Sequence, residues 1–286
     1  MNIIVIGHNG QLAWELAQLT NKNNTITCLG RNNIDVFCLE SIASTLKKHN
    51  AHAVINACAY TAVDQAETDE KNAYQLNSDA VQNLAQACKD LSLHLVHVST
   101  DFVFNGDKGS PYLTDDPIEP LGIYGASKAQ GELAIRNTLP QQSCIIRTSW
   151  VYSTHGNNFV KTMLKLMADK PELGVISDQI GSPTYAKSLA KICLLAAEKK
   201  ICGIHHWTDA GVASWYDFAV AIQEIAIDKG ILSRPIPIKP IRTIDYPTPA
   251  ARPSYSVLDK TSCNTVFADL PLIHWRTQLS KMMAEL

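Results

Sequence analysis

The chain has 286 residues, of which 46% are hydrophobic and 18% charged, and its formal net charge is −2. This length and composition can supply the core of a globular enzyme. The balance of acidic and basic side chains gives no electrostatic footprint for nucleic acid or an anionic membrane surface. The N-terminus lacks a basic leader, and no window is apolar enough to span a bilayer, so we expect a soluble, cytoplasmic protein.

The eight cysteines are scattered, without a C-x-x-C pair or histidines at ligand spacing. We interpret them as small buried hydrophobic side chains in a reducing compartment, and we predict no metal ligands among them.

Short apolar runs alternate with helix-length segments through the first half of the chain. We predict strands at 2–6, 25–29, 53–57, 94–99 and 144–149, and helices at 11–20, near 40–49, over about 70–90 and from about Tyr124. Alternation of this kind indicates a parallel sheet with right-handed crossovers.

A glycine-containing loop follows the first predicted strand and opens the first helix. It reads Gly7-His8-Asn9-Gly10-Gln11-Leu12-Ala13. One glycine permits a tight turn, the other lets a diphosphate approach backbone N–H groups, and the helix N-terminus adds unpaired donors. This placement favours a dinucleotide site over a plain turn.

The end of the second strand bears on the choice of dinucleotide. Enzymes that bind NAD commonly place an acidic residue there, but this chain has Gly30-Arg31. A guanidinium can pair with a 2′-phosphate, so we expect NADPH. NADH remains the alternative if Arg31 is only a solvated loop residue.

These patterns predict an α/β protein with a Rossmann-like doubly wound parallel sheet and a smaller C-terminal substrate-binding lobe. We place the dinucleotide-binding domain at 1–150, with later returns to it near 175–207, and most of the substrate-binding lobe at 151–286. The proline-rich stretch 235–253 is predicted to be an ordered loop without regular structure.

Three residues suggest carbonyl chemistry. Thr100 ends the fourth strand, and Tyr124 and Lys128 lie four residues apart at the start of a helix, so they share one face. A neighbouring cation lowers the pKa of a phenol, so Tyr124 could pass a proton to a carbonyl oxygen as hydride reaches its carbon. The Thr100 hydroxyl could bond the same oxygen. The alternative is a surface tyrosine and a solvated lysine.

Eight segments extend this pattern along the whole chain. They are VINACAYTAVDQAE (54–67), VSTDFVFNG (98–106), PYLTDD (111–116), YGASKAQGE (124–132), RTSWVY (147–152), NNFVKTML (157–164), DQIGSPT (178–184) and TPAARP (248–253). Together they resemble the dTDP-4-dehydrorhamnose reductase family of extended short-chain dehydrogenases. The resemblance implies NAD(P)H-dependent reduction of the C4 keto group of a dTDP-linked 4-keto-6-deoxysugar.

The resemblance also implies roles for single residues. Tyr124 would be the proton donor, and Lys128 would bind the nicotinamide ribose and tune Tyr124. The implied cofactor contacts are Gly7, Gly10, Gln11, Leu12, Arg31, Asp35, Ala59, Tyr60, Thr61 and Val98. The implied substrate contacts are Thr100, Asp101, Trp150 and Arg252. From the residues alone, core packing is the favoured role of Trp150, and Arg252 could equally be a structural arginine.

The chain departs from the family at several positions. Ala13 replaces the usual third glycine, and Phe102 stands where many relatives have tyrosine. Some relatives form dimers bridged by Mg²⁺ through acidic side chains, which Glu15 and Glu285 match, but Lys187 occupies the third position. A cation there would repel the metal, so we predict no metal ligands and leave open a role for Mg²⁺ and the choice between monomer and homodimer.

Three alternative functions share this fold. The chain also resembles the accessory subunit of methionine adenosyltransferase, a non-catalytic regulator, although Thr100, Tyr124 and Lys128 are intact. Another alternative keeps the fold but catalyses 4,6-dehydration or 4-epimerisation. Dehydration needs a second carboxylate after Thr100-Asp101, where this chain has Phe102. A reductase of another dTDP-4-keto-6-deoxysugar is a further alternative.

Overall fold

The computed structural model describes residues 1–286. The strands are β1 Asn2–Ile6, β2 Thr25–Leu29, β3 Ala53–Asn56, β4 His94–Thr100, β5 Ser143–Thr148, β6 Val151–Tyr152, β7 Leu173–Ile176, β8 Ile180–Gly181, β9 Thr184–Tyr185, β10 Gly203–His206, β11 Ala213–Ser214 and β12 Ile238–Ile241. The helices are α1 Gln11–Ala17, α2 Leu39–Lys48, α3 Val63–Ala66, α4 Glu70–Tyr74, α5 Ala80–Asp90, α6 Ile123–Thr138, α7 Phe159–Asp169, α8 Ala186–Lys199, α9 Trp215–Asp228, α10 Thr261–Val266 and α11 Trp275–Met283.

Six parallel strands form the central sheet in the order β10-β5-β4-β3-β1-β2. The chain moves outward from β1 to β2 and then crosses back to place β3 on the other side of β1. The carboxyl ends of β1 and β3 therefore form the switch point at which open α/β sheets bind ligands. The predicted Rossmann-like sheet is confirmed.

Helices cover both faces of this sheet. In β1, Ile3 and Val5 join the core beneath α1 and α8, whereas Ile4 and Ile6 join the core beneath α2, α5 and α6. A strand buried on both faces needs apolar residues at successive positions, which explains the unbroken run NIIVI.

The helix predicted over about 70–90 is interrupted. Glu70–Tyr74 and Ala80–Asp90 are α-helical, but Gln75–Asp79 forms one turn of π-helix between them. Such turns commonly occur at functional sites, and this one positions Asn77 toward the loop after β3.

A second core forms where α7, α9 and α11 pack together. Phe218, Ile222 and Leu279 are fully buried in it. This unit also carries β7 and β12, which pair in parallel, whereas α8 and β10 return to the large sheet, with β10 beside β5.

The prediction that 235–253 lacks regular structure is wrong in part. Ile238–Ile241 forms β12, and Pro240 lies opposite Val175 of β7. The pair has only two strands, so a residue without an N–H group can occupy its free edge.

No helix combines the length and apolar character that a membrane span requires. All eight cysteines are free thiols, and Cys88, Cys144, Cys193 and Cys263 are buried, but Cys202 is exposed.

Candidate active site

The loop after β1 has the backbone that its glycines predict. Gly7 has a φ of +129°, which L side chains rarely adopt. A Cβ atom added at Gly10 would meet nothing within 4 Å, so its open side is free to face a ligand. Ala13 is buried against the sheet, consistent with close packing of α1.

A cavity of about 1110 Å³ lies at the carboxyl ends of β1, β2 and β3. Six of the predicted cofactor residues line it: Gly7, Gly10, Arg31, Asp35, Ala59 and Tyr60. Such a volume at the switch point can hold a dinucleotide.

The remaining predicted cofactor residues lie outside this lining. Leu12 is buried in the core, and Thr61 is exposed. The Gln11 side chain turns away, accepting a hydrogen bond from Asn158 Nδ2 at 3.0 Å. Val98 contributes its carbonyl oxygen to Lys128.

Arg31 and Asp35 are both exposed on the side of the cavity that β2 provides. The Asp35 carboxylate accepts a hydrogen bond from the Phe37 backbone N–H at 2.9 Å and so fixes the turn after β2. The Arg31 guanidinium and the Asp35 carboxylate therefore lie at the same edge of the cavity.

Asn77 connects the cofactor cavity to the helix that carries Tyr124. Its side chain accepts from the Tyr60 backbone N–H at 2.8 Å and donates to the Tyr60 carbonyl at 3.1 Å. It also donates to Ser127 Oγ at 3.0 Å. The sequence analysis missed Asn77, because its role depends on the π-turn of the preceding helix.

Tyr124 lies in the first turn of α6, next to the end of β4. Its ring packs edge-on against Phe102 at 5.5 Å between centroids. The close approach depends on Gly125, where a Cβ atom would lie 2.1 Å from the Phe102 carbonyl oxygen. The Thr100 hydroxyl faces the phenol and moderates the effect of burial on its pKa.

The predicted effect of Lys128 on Tyr124 is wrong for this structure. Burial raises the pKa of Tyr124 to about 12, and the charge of Asp101 adds to that rise. The Lys128 amine is directed elsewhere: it donates to the Val98 carbonyl at 2.7 Å. A shared helix face therefore did not bring the two polar groups into contact.

Two polar strand residues lie in line with the Lys128 amine: His97 contacts it, and Asn56 contacts His97. His97 Nε2 lies 3.2 Å from Lys128 Nζ, and His97 Nδ1 lies 3.0 Å from Asn56 Nδ2. All three side chains are at least 98% buried. Burial lowers the pKa of Lys128 to about 8 and that of His97 well below its usual range. The sequence could have indicated this cluster, because it places polar residues inside the apolar strands at 53–56 and 94–99, and buried polar groups require hydrogen-bond partners.

A buried ion pair lies one turn beyond Lys128. Arg147 of β5 donates to Glu132 of α6, with Nη2 to Oε2 at 2.7 Å. Ser99 of β4 donates to the same carboxylate at 2.5 Å, and Arg147 also donates to the Thr114 carbonyl at 3.1 Å. The pair therefore fixes α6 against β4 and β5.

Asp101 directly follows β4 and is 2% exposed. One carboxylate oxygen accepts from the Thr100 hydroxyl at 3.1 Å, whereas the other receives no hydrogen bond of normal geometry, although the nearby Ser256 side chain opposes the rise in the pKa of Asp101. Burial raises the pKa of Asp101 to about 6. A buried oxygen without a partner suits a group that receives a hydrogen bond from a ligand.

Trp150 follows β5 in a left-handed conformation, with a φ of +48°. Its ring stacks on Trp215 at 3.6 Å between centroids and an interplanar angle of 8°. Gly181, in the DQIGSPT segment, leaves room for the indole, because a Cβ atom there would lie 2.7 Å from Trp150 Cε2. Trp150 thus packs against the second core and remains half-buried at its margin.

Arg252 forms an ion pair within the chain. Its Nη1 and Nη2 donate to the two oxygens of Asp64 at 2.9 and 2.8 Å. This bidentate contact holds the loop 248–253 against α3 and lowers the pKa of Asp64. The structure therefore shows a structural partner for Arg252.

The residues that the family would use for Mg²⁺ do not fit a divalent cation. Lys187 Nζ donates to Glu285 at 2.7 Å, and the Tyr185 hydroxyl donates to the other Glu285 oxygen at 3.0 Å. Glu15 is 3% exposed and accepts from Ser153 at 2.6 Å. The Lys187 ammonium occupies the position where a metal would need another anion.

Comparisons with known proteins identify the family of this chain. A family model described as "RmlD substrate binding domain" matches residues 1–286. The dTDP-4-dehydrorhamnose reductase of Aggregatibacter actinomycetemcomitans is 40% identical over 290 residues, covering 99% of this chain and 98% of the relative. The chain belongs to the dTDP-4-dehydrorhamnose reductase family.

Solved structures of family members share the whole fold. A dTDP-4-dehydrorhamnose reductase from Clostridium acetobutylicum has a TM-score of 0.92 and 35% identity, with 99% of each chain covered. The Bacillus anthracis enzyme, solved in complex with NADP, has a TM-score of 0.92 and 32% identity, covering 100% of this chain and 99% of that one. This member of the family therefore shares the whole fold of these reductases.

Proposed function

We propose that this chain reduces the C4 keto group of dTDP-4-dehydro-L-rhamnose to form dTDP-L-rhamnose, with NADPH as the reductant. The observation that carries the proposal is the position of Thr100, Tyr124 and Lys128. They lie at the carboxyl end of β4 and the start of α6, next to a dinucleotide-sized cavity, in a chain matched along its full length by the reductase family.

The cavity residues fit the cofactor. The open side of Gly10 would admit the diphosphate, and the exposed Arg31 guanidinium would pair with a 2′-phosphate. When bound, NADPH supplies the hydride for the reduction. The NADP complex of the Bacillus anthracis relative supports this choice.

Tyr124 would act as the proton donor. Because burial raises its pKa to about 12, the phenol is protonated at neutral pH, which is the state that a reduction requires. Thr100 would hold the carbonyl oxygen, Lys128 would bind the nicotinamide ribose, and the unpaired Asp101 oxygen would accept from the sugar.

The second core would form the substrate-binding lobe. Trp150, stacked on Trp215 at its margin, would lie against the sugar. Arg252 would act chiefly by holding its loop to Asp64, with its remaining exposed edge available to the nucleotide diphosphate.

The decisive assay measures NADPH oxidation by purified protein with dTDP-4-dehydro-L-rhamnose generated in the reaction. We expect turnover that falls about 10²–10⁴-fold in Tyr124→Phe, because a general acid contributes on that order. Tyr246→Phe, at an exposed position, is the matched control and should retain full turnover. No cofactor oxidation by the wild-type protein would favour a regulatory subunit, and full activity in Tyr124→Phe would remove Tyr124 from the mechanism.

A further inference from the structure

The orientation of the Asn56 amide is fixed by a backbone group. The Cys58 backbone N–H donates to Asn56 Oδ1 at 3.1 Å, and a backbone N–H can only donate. The amide oxygen must therefore face Cys58, and the NH₂ group must face His97, 3.0 Å from its Nδ1.

This orientation determines where the proton of the His97 ring lies. Because an amide NH₂ only donates, Nδ1 must accept, and the proton of the neutral imidazole is on Nε2. Nε2 lies 3.2 Å from Lys128 Nζ. An ammonium has no lone pair, so a protonated Lys128 would place two donors against each other inside a buried site.

We infer that Asn56 fixes His97 as its Nε2–H tautomer, and that His97 thereby favours the neutral amine form of Lys128 in the cofactor-free protein. In that form Lys128 accepts from His97 and donates to the Val98 carbonyl at 2.7 Å, so every polar group is paired. His97 and Asn56 are positioning residues for the lysine of the proposed reductase, and this role rests on that function.

The other groups near Lys128 do not reverse this preference. Cys58 faces it from the segment after β3, and both Tyr124 and Glu132 lie on its own helix. The Glu132 charge favours the ammonium but is neutralised by its ion pair with Arg147. The pKa of Lys128 is accordingly lowered to about 8, largely by burial.

The tautomer can be observed directly by ¹⁵N NMR of histidine-labelled protein, with the His97 signals assigned by their loss in His97→Gln. We expect a protonated Nε2 and an unprotonated Nδ1. The opposite tautomer, or an imidazolium, would overturn the inference. If this tautomer is found but the protein does not reduce the sugar nucleotide, the proposed function fails and the inference stands. If the protein is a reductase but His97 has the opposite tautomer, the inference fails and the proposed function stands.

Asn56→Asp tests the consequence for Lys128. The carboxylate created by this substitution still accepts from the Cys58 backbone N–H. Because a carboxylate only accepts, the proton of the His97 ring then lies on Nδ1, and the ring lone pair lies on Nε2. That lone pair can accept from Lys128 and so favours its ammonium form. We expect the pKa of Lys128, followed by ¹³C NMR of its Cε, to rise by about 1–3 units. The alkaline limb of kcat/KM should move with it.

His94→Gln is the matched control. His94 is also buried on β4, but it makes no contact with Lys128, so the substitution should leave both the His97 tautomer and the Lys128 titration unchanged. An unshifted Lys128 pKa in folded Asn56→Asp would contradict the inference. If Asn56→Asp does not fold, the His97 tautomer measured in the wild-type protein still tests the inference.

Discussion

The two sides of the cleft are built differently. On the side of β3, β4 and α6, Asn56, His97 and Lys128 are buried and joined by hydrogen bonds to one another or to backbone carbonyls. On the side of β1 and β2, Gly10 and Arg31 face open space and solvent.

The difference follows from what each side must do. Chemical groups act best when their surroundings hold them in place before the substrate arrives, so buried paired networks suit the side that carries Tyr124. A dinucleotide must enter and leave, so its binding loops cannot bury their polar groups beforehand. Substitutions that leave a buried group on the first side without its partner should therefore reduce stability, whereas substitutions on the second should reduce affinity alone.

Breaking the ion pair beneath α6 should have the largest effect on folding. Arg147→Met leaves Glu132 buried without its partner, and we expect the free energy of unfolding to fall by about 3–5 kcal/mol. Urea denaturation of the variant and the wild-type protein measures this difference in the free energy of unfolding. Arg276→Met, which breaks the exposed pair with Glu224, should cost less than about 1 kcal/mol. Equal losses in the two variants would show that burial does not distinguish them.

Removing the Asp101 charge should stabilise the protein in a pH-dependent way. The pKa of Asp101 is raised from 3.8 to about 6, so the folded state holds its proton more tightly than the unfolded state. The wild-type protein therefore loses stability as pH rises from about 4 to 6, by about 3 kcal/mol for a shift of roughly two units. Asp101→Asn avoids this loss.

The measurement compares the free energies of unfolding of Asp101→Asn and wild type below and above this pH range. The advantage of the variant should be larger at the higher pH by about 2–3 kcal/mol. Asp107→Asn, at an exposed loop position, should show no such change. A constant difference across the range would mean that Asp101 is not desolvated in solution.

A substitution on the open side should affect cofactor binding only. Arg31→Ala removes the guanidinium predicted to meet the 2′-phosphate, so the Kd for NADPH should rise about 10–100-fold and that for NADH should change little. Calorimetry provides both constants, and the melting temperature should not move. Arg234→Ala, also exposed, is the control. Unchanged NADPH affinity would identify Arg31 as a solvated loop residue.

The sequence predicted the strands of the sheet and the residues at which they end, because these features depend on local sequence patterns. Apolar runs of strand length, glycines at one loop and the spacing of Tyr124 and Lys128 can all be recognised without knowing which segments meet. The proline-rich stretch shows the limit of this approach, since β12 forms only because β7 lies beside it.

By itself, the sequence determined the fold class, and it predicted the glycine-containing loop after β1 and the candidate residues Thr100, Tyr124 and Lys128. Only the tertiary structure decided what these groups contact: Lys128 turns to His97 rather than to Tyr124, and Arg252 pairs with Asp64. The physical reason is that a pKa and a hydrogen bond depend on burial and on partners 31 to 188 residues away in the chain, which spacing within one helix or loop does not specify.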